Sequence, residues 1–136
     1  MKASFSRAAL IAAAFSFASF VTISAARADS DPAKEVATAA QHAGFAAKAT
    51  DMKTTQMHLH HVVNCLVGPK GKGFDTTNAN PCKDQGSGAI PDTKDSKQKK
   101  ALQTALAKAN AGLKAKDMAA AQKDATDAQA LLTPKT

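Results

Sequence analysis

Beyond residue 28 the only Phe, Tyr or Trp side chains are Phe45 and Phe74. A core in this part of the chain is therefore built mostly from Ala, with a few Leu and Val and some Met. Such a core buries little apolar area per residue, and a small domain that depends on one gains from a covalent staple. Cys65 and Cys82 are the only cysteines of the chain.

The apolar residues recur at helical spacing. Asp31-Pro32 pairs a capping residue with Pro at a first helical position, and Val36, Ala40, Ala43 and Ala47 follow as a stripe. A second stripe runs through Met52, Leu59, Val63 and Leu66, and Ala49-Thr50-Asp51 between them offers a stop and a fresh N-cap. After Asp95-Ser96 come Leu102, Leu106, Ala109 and Leu113. A break at Lys116-Asp117 precedes Met118, Ala121, Ala125, Ala128 and Leu132, and Pro134 ends the pattern. From Gly68 to Asp92 the character changes to five Gly, three Pro and almost no apolar side chains beyond Phe74 and Ile90, which reads as a long loop.

The two halves resemble each other. Ala43-Gly44-Phe45, Asp51-Met52 and Gln56 reappear as Ala111-Gly112-Leu113, Asp117-Met118 and Gln122. The expected fold is all-α: an antiparallel four-helix bundle of two helical hairpins, 31–67 and 95–133, joined by a disulfide-tied loop over 68–92. Residues 29–136 then form a single helical domain.

The first 28 residues read as a cleavable signal peptide. Lys2 and Arg7 make a positive n-region, an apolar stretch runs from Ala8 to about Ile23, and Ala26-Arg27-Ala28 matches the A-x-A cleavage pattern. An uncleaved anchor is the competing reading, but Ser16, Ser19, Thr22 and Ser24 dilute the apolar character. The expectation is a periplasmic or secreted protein with no stable membrane insertion after cleavage. Residues 29–136 keep 15 of the 18 basic residues against all 11 acidic ones, a net +4. Export and scattered lysines without interleaved aromatics argue against nucleic acid as a partner; anionic lipid, cell-wall polymer or an acidic protein stay open.

All four histidines, His42, His58, His60 and His61, lie in the first hairpin. At about 100° per residue, His58, His61 and Cys65 share one side of their helix with Met57 and Asn64 beside them, while Leu59, Val62, Val63 and Leu66 face the expected core. His60 points away from both groups. A turn centred near residue 50 brings His42 level with His58, although wheel counting sets its ring off the Ala stripe, toward solvent. Ligands of this type at three- and four-residue spacing suit copper, zinc or nickel, with His58 and His61 the best pair and His42, His60 or Met57 as help. Two other readings stand beside this one: a solvated polar face with no ligand, and a noncovalent b-type haem. Neither CxxCH nor HExxH occurs, and no arrangement of serine, histidine and acid can be traced, so the chain is read as a non-enzyme.

In an oxidising compartment Cys65 and Cys82 are most simply a disulfide; the competing use of Cys65 as a thiolate ligand requires the reduced form. In the loop, GPKGKG lacks the spacing of a phosphate-binding loop, and Asp75, Asn78 and Asn80 read as turn formers because their spacing does not match a calcium-binding loop.

An export signal, Ala-rich hairpins and helix-borne histidines at His42 and His58 to His61 together resemble the periplasmic small metal-binding protein family of four-helix bundles. The resemblance implies a metal site on the first hairpin. The clustering of every histidine there leads to the expected function, metal buffering or delivery. The alternative is a non-enzymatic envelope interaction or structural protein that presents the 68–92 loop to a partner, with Phe74 in the contact.

Overall fold

A computed structural model of the protein describes residues 29–133. The expected signal peptide and Pro134 lie outside the described residues. Five helices follow in order: α1 (Pro32–Lys48), α2 (Met52–Val67), α3 (Ala89–Asp92), α4 (Ser96–Lys114) and α5 (Met118–Leu132). Among the described residues there is no strand, and no helix is long and apolar enough to cross a membrane.

Each long helix begins on an aspartate. The carboxylates of Asp31, Asp51, Asp95 and Asp117 accept from the backbone N–H groups of Lys34, Thr54, Gln98 and Ala120 at 3.0, 2.8, 2.6 and 2.9 Å. Each bond satisfies a donor that the first turn would otherwise leave unpaired. Three-residue links join α1 to α2 and α4 to α5, so the chain forms two helix pairs. Helix α1 packs on α2 and α5, and α4 packs on α5 and α2. Across the pairs, the Gln122 amide donates to the Ala49 carbonyl at 2.7 Å.

The core runs through Val36, Ala39, Ala43 and Ala46 of α1, Leu59, Val62, Val63 and Leu66 of α2, Leu102, Ala105 and Ala109 of α4, and Ala125, Ala128 and Leu132 of α5. Two of the stripes are rotated from their expected centres. Ala39 and Ala46 are buried where Ala40 and Ala47 are only half-buried, and Ala105 and Gly112 are buried where Leu106 and Leu113 are half-buried. The physical reason is steric: where helices approach closely, the line of contact takes the smallest residues and larger side chains flank it. At Gly112 an added Cβ would stand 2.8 Å from Leu59 Cδ1 of α2.

The 68–88 segment is an ordered loop, and α3 occupies the end of the stretch expected to be loop as far as Asp92. The Cys65–Cys82 disulfide, with Cα atoms 5.2 Å apart, ties the end of α2 to it. Fully buried Asn64 holds the loop a second time. Its amide donates to the carbonyls of Asp75 and Ala79 at 2.9 and 3.1 Å, and its Oδ1 accepts from the Asp75 N–H at 2.8 Å. The loop closes where Gly68 (φ 69°) and Gly88 (φ 118°) meet backbone to backbone; a Cβ on Gly68 would run into the Ser87 carbonyl, and one on Gly88 into Val67 and Gly68. Only glycine combines those φ values with that approach. Asp75, Asn78 and Asn80 form turns as expected, with Asp75 Oδ1 accepting from Thr77 N at 2.8 Å and Asn80 Oδ1 from Cys82 N at 3.1 Å. Phe74 and Ile90 pack against the core.

One carboxylate is built into this closure. Glu35 on α1 is 1% exposed; its Oε1 accepts from Gly88 N at 2.8 Å, while Oε2 has no hydrogen-bond partner among the described residues. Burial pushes its carboxyl up to about 7; the Gly88 bond opposes that, and the charges of Asp92 and Asp31 add to it.

Candidate metal centre

The α1–α2 link spans Ala49 to Asp51, so residues whose numbers sum to about 100 lie level on the two helices. His42 of α1 accordingly stands opposite His58 of α2, and His61 is one turn further along α2. The Nδ1 atoms of His42 and His58 are 3.1 Å apart, and those of His42 and His61 are 3.3 Å apart. One ligand nitrogen from each of the three rings lies within 4.8 Å of the other two. His61 is 9% exposed, and His42 and His58 are half-buried. His42 thus joins the cluster instead of facing solvent, because its ring reaches across to α2.

Three ring nitrogens at these distances cannot all be satisfied by one another. A neutral imidazole nitrogen offers in its plane either one N–H or one lone pair. His42 Nδ1 therefore cannot donate to one neighbour and accept from the other: it either accepts from both on a single lone pair or shares a single N–H between them. A cation placed among three lone pairs removes the conflict. Nitrogen donors at about 2.0–2.1 Å from a tetrahedral zinc stand about 3.3–3.4 Å from each other, close to the two separations found here.

The surroundings keep the rings neutral. Burial is the main cause that carries His42 down to about 4, and the neighbouring His61 and His58 add to it. Burial also lowers His58, and it lowers His61 together with the adjacent His58 and His60. Neutral imidazole is the metal-binding form. Phe45, one turn beyond His42 on α1 and 45% exposed, covers one side: its ring lies edge-on to His42 at 5.6 Å and tilted against His58 at 5.3 Å.

The remaining expected ligands stand elsewhere. His60 turns away from the cluster, and its Nδ1 meets Asp75 Oδ2 in the loop at 3.1 Å. Asp75 is held down to about 2, first by its hydrogen bonds from Thr77 and Asn78, with His60 contributing least. Met57 is 39% exposed beside His58 in the chain. Cys65 is in the disulfide and leaves the ligand set. No family model, no curated protein and no solved structure matches the chain.

Two features escaped sequence reasoning. Phe45 gave a signal, since it lies three residues after His42 and so shares its face. The anchoring of His60 by Asp75 gave none, because the pair depends on how the loop folds back over α2.

Proposed function

We propose that the protein is a periplasmic transition-metal-binding protein that takes one copper, zinc or nickel ion on His42, His58 and His61, for buffering or delivery and not for catalysis. The observation that carries this reading is the convergence of three imidazole Nδ1 atoms, those of His58 and His61 standing 3.1 and 3.3 Å from that of His42. An all-imidazole donor set suits zinc, copper and nickel and disfavours calcium and magnesium, which take oxygen ligands. Three protein ligands leave a coordination position for water or for an incoming ligand, which suits exchange more than permanent storage.

In this reading the four long helices form an antiparallel bundle of two hairpins, of the kind found in the periplasmic small metal-binding proteins. The Cys65–Cys82 bridge supports an oxidising compartment, in keeping with the export signal read in the first 28 residues. Equilibrium dialysis of the purified protein against zinc, copper(II) and nickel tests the proposal. Uptake of one ion per chain is expected, abolished in the His58→Ala/His61→Ala double variant. Uptake no greater than that of the double variant for all three metals would sink it.

A further inference from the structure

We propose a second binding site, independent of the histidine cluster, that takes a free single-chain anionic amphiphile of the fatty-carboxylate class. It is a cleft of about 550 Å³ at the far end of α2, walled by that helix, the loop, α3 and α4. The volume falls within the range of about 300–1,000 Å³ typical of small-molecule sites.

The lining divides into an apolar floor and a basic rim. Val67, Ile90 and Leu106 supply the floor and belong to, or pack against, the hydrophobic core; Pro91 extends it. Lys70 and Lys72 from the loop and Lys99 from α4 stand at the rim, and no Asp or Glu lines the cleft. The neighbouring cleft beside it is different: there Asp29, Asp84 and Asp92 accompany Lys70 and Lys83, so its charge is mixed. Of these two clefts, only the first joins an apolar floor to cations of one sign. That combination matches a ligand with an acyl tail and one anionic head. The tail would displace water from apolar surface, and the head would meet ammonium groups in a cleft whose own lining holds no carboxylate.

The cleft is also firmly constructed. Its walls are pinned by the Cys65–Cys82 bridge and by the Gly68–Gly88 closure. A preformed site avoids the ordering cost that a flexible one meets on binding.

The test is isothermal titration of the full chain, as purified from an expressing cell, with dodecanoate below its micelle concentration. Dodecyltrimethylammonium and vesicles of anionic phospholipid serve as comparison arms. Saturable uptake of one dodecanoate per chain is expected, at least tenfold weaker in Lys70→Gln/Lys72→Gln/Lys99→Gln and retained when the same positions become Arg. The cationic amphiphile should bind at least tenfold more weakly. Equal affinity for the two amphiphiles, unchanged dodecanoate affinity in the Gln variant, or binding to vesicles with no uptake of monomeric dodecanoate would each overturn the proposal. Because the rim lysines are on the surface, all variants should retain wild-type helicity, and His58→Ala/His61→Ala should bind dodecanoate normally. Failure of the metal reading would leave this result standing.

Discussion

His42 and His58, on different helices and 16 residues apart, face each other with Nδ1 atoms 3.1 Å apart. A hydrogen bond there needs one ring to carry its proton on Nδ1 and the other a free lone pair, while His61 presses a third nitrogen onto His42 from 3.3 Å. The three rings are close enough to hold one shared cation.

His42→Ala should therefore weaken zinc binding as severely as His58→Ala, by at least about 100-fold, since loss of even an outer partner of a metal ligand commonly costs 10–100-fold. His60→Ala should keep the wild-type affinity, because the His60 ring is engaged with Asp75. Titration calorimetry on the three variants checks this. A larger loss from His60→Ala than from His42→Ala would remove His42 from the site.

Glu35 should make stability depend on pH in a way that Gln removes. With its folded-state pKa raised to about 7 from an ordinary 4.5, the native state holds this proton more tightly than the unfolded state. The contribution is fully present below about pH 4.5 and is lost as pH rises through about 7. Glu35→Gln should match the wild type near pH 4.5 and exceed it at pH 8, by up to about 3 kcal/mol. Urea denaturation of both proteins at the two pH values measures the difference.

Replacing both cysteines by Ser should cost about 3 kcal/mol, from the chain entropy released when a 17-residue closure is opened. For a domain of this size that corresponds to a fall of about 12–24 °C in Tm. Thermal unfolding followed by circular dichroism gives the value, and reduction of the wild type should reproduce it.

Asn64→Leu keeps the branched shape of the side chain but leaves the Asp75 N–H and several loop carbonyls without their partner. The expected loss is about 2–4 kcal/mol, the cost of leaving more than one buried polar group unsatisfied. Amide exchange should accelerate at Asp75 more than in α5, which Asn64 does not contact through hydrogen bonds.

The aspartate caps, the helical stripes, the break at Ala49–Asp51 and the pairing of the two cysteines were legible in the sequence, because each depends on residues close in the chain or on a choice with a single partner. Which Ala lies at the helix contacts was not, since Ala39 and Ala40 have the same chemistry and only the approach of α2 and α5 distinguishes them. The same holds for the site. The sequence by itself determined that every histidine sits on one hairpin and that His58 and His61 share a helix face. Only the tertiary structure decided that His42 completes the group, that Asp75 is the partner of His60, and that Glu35 is buried at the loop closure. Helical periodicity sets the direction of a side chain relative to its own axis, whereas a contact also requires the position and rotation of the neighbouring helix, and those are set by how the whole core packs.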